Sequence, residues 1–362
     1  MENTMVLAVD GRKLGKECKR SASRLHFSLI VYLLVASLVV SFASFGLSIF
    51  ASASPELYET IMNNPLYQNI IIWSVQILSM YLIAYPVFYF MTRHLPKREL
   101  SDKKNLSFRE FIKIAVATEG IMLIGSVVAG YVSDALNRFL GIVVEDTTSE
   151  LISGTDLWII IAVVVIIGPI FEELIFRKIF IDTLGKYSIG IAIFMSGASF
   201  ALFHGNLTQV IYTFSAGLIL AWVYAKTKKI IYPILLHMFI NFFGSVPSLL
   251  VADSYDRIMN MTEEELLAAT DPQILSDIAK VNVVSYMNLG FMFFGALILF
   301  FMLISGFFKL DKSGEVRIPF FKKLGILLFN WGTFAFVAYS LINIVLELFL
   351  PLIEEYLGEF LV

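Results

Sequence analysis

The chain has 362 residues, of which 58% are hydrophobic and 16% are charged, with a net charge of -3 and a mean hydropathy of +0.78. Soluble proteins carry about a quarter charged residues, so this composition excludes an ordinary soluble enzyme and indicates a membrane protein. The single cysteine, Cys18, excludes an intramolecular disulfide and a CxxC metal site.

Nine apolar runs follow one another along the chain, and each is expected to form a membrane helix. They are Phe27–Ile49, Asn69–Met91, Phe111–Val132, Leu157–Phe180, Ile189–Phe203, Thr208–Ala225, Ile230–Val251, Val284–Phe307 and Leu324–Leu350. The fifth run is short for a full span, so it is tilted less than the others or partly re-entrant. The basic lead 1–26 is long, and the first apolar run is too long for the hydrophobic region of a cleaved signal peptide. The predicted fold class is all-α, a polytopic bundle of about nine spans.

Basic residues alternate between the connecting segments. All of the Lys and Arg residues except Arg138, Arg257 and Lys280 fall on one predicted face of the membrane, beginning with the N-terminal segment. Because Lys and Arg accumulate on the cytoplasmic side, the N-terminus is expected to be cytoplasmic. The basic residues are scattered among short loops, which anionic lipid explains, and no nucleic-acid signature is present.

The largest loop on the opposite face, Ala252–Asn282, is acidic. Its Thr262-Glu-Glu-Glu-Leu sequence predicts a capping box that opens an amphipathic helix. Glu263, Glu264 and Glu265 are therefore interpreted as a solvated helix start in preference to a cation site.

Two acids and an arginine interrupt the fourth apolar run, where ionised side chains are costly and are expected to have partners or a function. Glu173 and Arg177 are four residues apart on one helical face and favour an ion pair. Glu172 is rotated by about 100° from Glu173 and remains available for chemistry. Pro169, after Gly168, removes a backbone donor and predicts a kink that opens a polar pocket. The alternative is a purely structural buried network.

Two of the four histidines lie in apolar surroundings. His204 ends the fifth run, and His237 lies in the seventh run with Asn241 one helical turn later on the same face. His26 and His94 lie in basic flanking segments and are expected to be surface residues. Together with Glu172, the two apolar histidines and the amide indicate a site.

These side chains are suited to hydrolysis. A carboxylate in a low-dielectric pocket can take a proton from water, and an imidazole can share that role. A histidine and an asparagine amide can donate to a developing oxyanion. Glu172, His204 and His237 also form a reasonable zinc ligand set with one open position. No HExxH or GxSxG motif is present, and the residues alone leave metal-bound water and directly activated water as alternatives.

The depths of these residues within the predicted spans differ. Glu172 and His237 lie roughly 10–12 Å from the cytoplasmic ends of their runs, whereas His204 lies about 22 Å from its end. The predicted site therefore requires the fifth span to start later than its apolar run, or to tilt strongly.

At these residues the chain resembles the CPBP family of CAAX-processing and bacteriocin-processing membrane proteases, also called Abi. The family pattern is Glu-Glu-x-x-x-Arg, then Phe-x-x-x-His, then His-x-x-x-Asn or His-x-x-x-Asp on successive spans. The matching segments here are Glu172–Arg177, Phe200–His204 and His237–Asn241. The resemblance divides the chain into flanking helices over 1–156, a catalytic core over 157–251, and an external loop with two helices over 252–362.

The resemblance implies roles for the matched residues. Glu172 would activate water with His204 beside it, while His237 and Asn241 would stabilise the oxyanion. Glu173 and Arg177 would support the site structurally. Family members are often called metalloproteases, with zinc as the expected metal, and a metal-free glutamate mechanism has also been proposed. The implied location is a bacterial plasma membrane, and the implied partners are the lipid bilayer and a peptide or membrane-protein substrate.

The hypothesis is thus an intramembrane endopeptidase. One rival is a non-proteolytic scaffold or bacteriocin self-immunity protein on the same fold. A second rival is an ion-coupled transporter with Glu119, Glu172 and Glu173 as proton sites, although the two-fold repeat typical of transporters is not evident. Glu119 by itself is interpreted either as a partner of a core group or as a functional residue.

Overall fold

The computed structural model describes residues 2–98, 103–141, 151–310 and 320–360, and these ranges are mainly helical and contain no strand. The helices are α1 (Glu2–Ala53), α2 (Pro55–Met62), α3 (Pro65–Thr92), α4 (Phe108–Leu140), α5 (Leu157–Leu184), α6 (Ile189–Phe203), α7 (Leu207–Thr227), α8 (Ile231–Leu250), α9 (Ala252–Met259), α10 (Glu263–Leu267), α11 (Pro272–Ile304), α12 (Phe320–Leu328) and α13 (Trp331–Phe360). Lys312 and Arg317, which contribute to the predicted charge pattern, lie outside the described residues.

Eight of these helices are long and apolar enough to cross a membrane: α1, α3, α4, α5, α7, α8, α11 and α13. Helix α6 is apolar but has only 15 residues. These nine helices correspond to the nine predicted runs, and the short fifth run has the predicted limits. The all-α polytopic fold is therefore confirmed, with eight candidate spans and one shorter apolar helix in the described ranges.

Glycines allow two pairs of helices to approach closely. A Cβ atom on Gly217 in α7 would lie 3.0 Å from the Cα of Gly197 in α6. A Cβ on Gly120 in α4 would lie 2.8 Å from the Cα of Gly295 in α11. Small residues permit such backbone contacts between membrane helices, and the two crossings join α6 to α7 and α4 to α11.

Helix α1 packs against α3 and the C-terminal helix α13. His26, near the middle of α1, is 1% exposed, and its Nε2 lies 2.9 Å from the hydroxyl oxygen of Ser199 in α6. Its Nδ1 lies 3.0 Å from the hydroxyl oxygen of Thr333 in α13. The prediction that His26 is a surface residue is wrong, because α6 and α13 cover the basic end of α1. His94 is exposed, as predicted.

The acidic loop begins its short helix as expected. The hydroxyl of Thr262 accepts a hydrogen bond from the backbone N–H of Glu265, and the Glu265 carboxylate accepts one from the backbone N–H of Thr262. This capping box opens α10, and the acidic side chains of its first turn are exposed.

Candidate active site

A cavity of about 700 Å³ lies among α3, α4, α5, α6, α7 and α8, within the size range of pockets that hold small ligands. The structure places the four predicted catalytic residues, Glu172, His204, His237 and Asn241, in the lining of this cavity. Glu119 of α4 and Tyr81 of α3 line it as well.

Helix α5 departs from regular α-helical geometry on both sides of the acidic pair. Its turns are π-helical over Ile161–Ile167 and again over Leu174–Ile179. In the first of these segments the N–H of Gly168 reaches back five residues to the carbonyl of Val163. In the same register the carbonyl of Val164 would pair with residue 169, but that residue is a proline and has no N–H. Such π-helical turns occur frequently at functional sites.

Asn241 on α8 supplies the donor that Pro169 lacks. Its side-chain nitrogen donates a hydrogen bond of 2.9 Å to the carbonyl oxygen of Val164. A buried backbone carbonyl needs such a partner, so this contact both satisfies α5 and holds α8 against it. The sequence pattern predicted the missing donor at Pro169 but not the residue that replaces it.

Glu173 contacts two side chains, Arg177 and His237, in the interior of the bundle. One carboxylate oxygen lies 2.9 Å from Nε of Arg177, and both side chains are fully buried. The other oxygen lies 3.0 Å from Nδ1 of His237 on α8. The guanidinium carbon of Arg177 lies 4.5 Å from the ring centre of Phe200. The i,i+4 ion pair is visible in the sequence, whereas the contact with His237 joins residues on different helices and is not.

Glu172 has a different environment from its neighbour. Its side chain is 22% exposed, and one carboxylate oxygen lies 3.7 Å from Nε2 of His237. A Cβ atom on Gly168 would lie 3.8 Å from the other oxygen and 3.2 Å from the hydroxyl of Tyr81. Glu172 and Tyr81 therefore face the same part of the cavity wall, close to the backbone of Gly168. Sequence reasoning missed Tyr81, because a tyrosine in an apolar run carries no motif.

The two imidazoles flank the ring of Phe200. Its centre lies 4.8 Å from that of His204 and 5.5 Å from that of His237. Nδ1 of His204 lies 2.8 Å from the carbonyl oxygen of Phe200, and Nδ1 of His237 faces the carboxylate of Glu173. Because a carbonyl and a carboxylate only accept, both Nδ1 atoms carry the proton, and neutral rings present an unprotonated Nε2.

The longer course of α5 reduces the mismatch in depth. This helix continues to Leu184, four residues beyond the predicted Phe180. Glu172 therefore lies about 18 Å from the loop that joins α5 to α6, close to the value of about 22 Å for His204 on the other side of that loop. Glu172 and His204 reach the same cavity because α5 ends later than predicted, and not because the fifth span starts later.

The predicted zinc ligands have suitable donor atoms. Histidine ligands of metals usually hold their other ring nitrogen against a carboxylate or a backbone carbonyl, as His204 and His237 do. However, no three His, Cys, Asp or Glu side chains gather closely enough to hold a metal ion anywhere in the described ranges. The arrangement of Glu172, His204 and His237 therefore does not fit a three-ligand zinc site.

Comparisons with known proteins point to one class. Residues 154–243 match the family of type II CAAX prenyl endopeptidases described as Rce1-like. YdiL of Bacillus subtilis (strain 168), provisionally named as a membrane peptidase, is 30% identical over 175 residues, which cover 48% of this chain and 69% of YdiL. The membrane-embedded CAAX protease MroQ of Staphylococcus aureus (strain USA300) is 33% identical over 112 residues, covering 29% of this chain and 45% of MroQ. No solved structure matches this chain.

Proposed function

Because this chain belongs to the CPBP family of CAAX-type membrane peptidases, we propose that it hydrolyses a peptide bond of a membrane-associated substrate within the cavity. The observation that carries this proposal is that two adjacent acids, Glu172 and Glu173, have different environments. Glu173 is fully buried against Arg177 and His237, whereas Glu172 is partly exposed and lines the cavity.

Glu172 is the proposed base. A carboxylate within reach of a water molecule can accept its proton as the water oxygen bonds to the carbonyl carbon of the substrate. The same proton then passes to the leaving amine as the C–N bond breaks. His204 presents its unprotonated Nε2 to the cavity and is proposed to hold the attacking water beside Glu172.

His237 and Asn241 are proposed to stabilise the oxyanion. His237 lies beside the carboxylates of Glu172 and Glu173, and it can donate from Nε2 only when both ring nitrogens are protonated. The amide nitrogen of Asn241 carries two protons. One is directed to the carbonyl of Val164, which leaves the other for the substrate. Donors fixed in this way stabilise charge more effectively than mobile water.

The test uses the full-length protein in lipid nanodiscs and a peptide library analysed by mass spectrometry. We expect Glu172→Gln and His204→Ala to lower cleavage by at least about 100-fold, since each removes a group that acts on the attacking water. Glu264→Gln, which removes an exposed acid at the start of α10, serves as the control and should cleave normally. Parallel reactions with a chelator, and metal analysis of the protein, report on zinc.

Cleavage that survives Glu172→Gln would overturn the proposed mechanism. A protein that cleaves no peptide, and whose cellular phenotype survives Glu172→Gln, would instead support the scaffold or immunity role. Loss of cleavage on chelation, with recovery on zinc addition, would show that the three candidate ligands move together when metal binds.

A further inference from the structure

Glu119 is a second carboxylate in the cavity that the proposed mechanism does not use. It lies in α4, is 1% exposed, and lines the same cavity as Glu172 and the two histidines. Its Oε2 atom is buried and has no hydrogen-bond partner among the residues that the structure describes. A buried carboxylate without a partner is costly, so its position requires an explanation.

The cavity around Glu119 combines two carboxylates and neutral polar groups with mainly apolar walls. Among the described lining residues there are two carboxylates, Glu119 and Glu172, and no Lys or Arg. The cavity lining also includes neutral polar groups from α4 and α7, among them Ser126, Gln209 and Thr213. A cavity lined by one sign of charge, with apolar walls, concentrates ligands of the opposite sign.

The packing of α4 holds Glu119 in place. The next residue, Gly120, meets α11 so closely that a Cβ there would lie 2.8 Å from the Cα of Gly295. This backbone contact fixes the rotation of α4 at that level. Rotation of α4 that would turn Glu119 away from the cavity would break this crossing, so a group that enters the cavity could supply the partner that the described residues do not.

We propose that Glu119 binds the positively charged side chain of a lysine or arginine in the peptide substrate. Such a side chain would supply the missing hydrogen bonds and neutralise the buried carboxylate. This subsite deepens the proposed peptidase function and rests on it, since the peptide must enter the cavity that holds Glu172. The recognition is selective because a neutral side chain leaves Glu119 unpaired.

The test measures binding separately from cleavage. Three fluorescein-labelled apolar peptides differ only at a central residue, which is lysine, norleucine or glutamate. Fluorescence anisotropy follows their binding to full-length Glu172→Gln protein in phosphatidylcholine nanodiscs, whose lipids do not attract cations by net charge. We expect the lysine peptide to bind at least about tenfold more tightly than the norleucine peptide, and the glutamate peptide to bind most weakly.

The isosteric change Glu119→Gln, added to this protein, should make the lysine and norleucine peptides bind within about twofold of each other. Adding Glu264→Gln instead, as the control outside the cavity, should preserve the lysine preference. Equal binding of the two peptides before Glu119 is changed, or failure of the lysine peptide to bind, would overturn the subsite without requiring the Glu119 variant to fold. A lysine preference that survives Glu119→Gln would also overturn it.

Cleavage assays on the protein without substitutions distinguish failure of the Glu119 subsite from failure of the proposed peptidase function. Cleavage of all three peptides at equal rates, together with equal binding, would retain the peptidase and remove the subsite. A Glu119-dependent lysine preference in binding, in a protein that cleaves none of the peptides, would retain the subsite and remove the peptidase.

Discussion

At the scale of single residues, the central feature is that one buried carboxylate serves two helices. Glu173 contacts Arg177 within α5 and His237 on α8. Its anionic form is compensated by a guanidinium, and it fixes the ring of His237 through Nδ1. The neighbouring Glu172 takes no part in this ion pair. The two adjacent acids thus differ in environment: among the described residues Glu173 forms an ion pair with a guanidinium, and Glu172 does not.

The Glu173–Arg177 pair predicts a large effect on stability. Replacing Arg177 by methionine leaves Glu173 buried without its guanidinium, so we expect Arg177→Met to lower the free energy of unfolding by about 3–5 kcal/mol. Adding Glu173→Gln should recover much of this loss, since the uncompensated charge is then removed. Unfolding in mixed micelles, followed by circular dichroism, measures both effects.

Lys178 provides a matched control on the same helix. It forms an ion pair of 3.0 Å with Asp182, but its side chain is 43% exposed. Asp182 is buried but keeps Arg98 and the hydroxyl of Tyr224 as partners, and Lys178 itself is partly exposed, so Lys178→Met should cost less than about 1 kcal/mol. Equal losses for the two substitutions would show that the buried pair is not the stabilising element.

Several residues of the candidate site can be predicted from the sequence, and others cannot. The spacing of Glu173 and Arg177 within one helix is local, so periodicity alone predicts their pairing. The contacts of Glu173 with His237 and of Asn241 with Val164 depend on how helices cross, which no local pattern encodes. His26 shows the same limit, because its burial depends on α6 and α13.

At the scale of helices, the geometry of α5 depends on Pro169 and on the side-chain amide of Asn241, which replaces the donor that Pro169 lacks. Pro169 frees the carbonyl of Val164, and Asn241 on α8 donates to that carbonyl. The sequence predicts a kink at Pro169; the structure has π-helical turns on both sides of it, and the hydrogen bond from Asn241 joins this part of α5 to α8. The limits of α6 follow from its apolar run, whereas the extension of α5 to Leu184 does not, because 181–184 include the charged Asp182.

Because Asn241 replaces the donor that Pro169 lacks, a change at Pro169 should restore stability that is lost when Asn241 is changed. Asn241→Ala should lower the free energy of unfolding by about 1–3 kcal/mol, since the carbonyl of Val164 loses its donor. Pro169→Ala restores a backbone N–H at position 169, so in the Asn241→Ala protein it should recover part of that stability. Unfolding of the two single variants and the double variant in mixed micelles gives the coupling energy.

The same variants separate positioning from catalysis. If Asn241 also donates to the oxyanion, the double variant should regain stability while its kcat for peptide cleavage remains low. Recovery of kcat together with stability would assign Asn241 to positioning alone. Additive losses of stability in the double variant would contradict the proposed link between Pro169 and Asn241.

At the scale of the whole molecule, charge is distributed unequally between the two ends of the helical bundle. The basic end includes Arg98, whose side chain lies 3.7 Å from Asp182 at the end of α5, and whose backbone N–H donates to the carbonyl of Asp182. Burial lowers the pKa of Arg98, and the carboxylate of Asp182 opposes that effect. The other end carries the exposed acids of α10. We propose that the basic end faces the cytoplasm of a bacterial cell.

This orientation can be tested with cysteine labelling, because the chain has only Cys18 and that residue is buried. In a Cys18→Ala background, Lys104→Cys places a thiol on an exposed residue at the basic end, and Glu264→Cys places one on the acidic end. A membrane-impermeant maleimide should label Glu264→Cys in intact bacteria and label Lys104→Cys only after the membrane is permeabilised, since Lys and Arg accumulate on the cytoplasmic side. The reverse pattern would invert the topology, while labelling of both in intact cells would contradict a bundle that separates the two ends. With the basic end inside, the loop that joins α5 to α6 is cytoplasmic, and the cavity is reached at about 18–22 Å from that loop along the two helices.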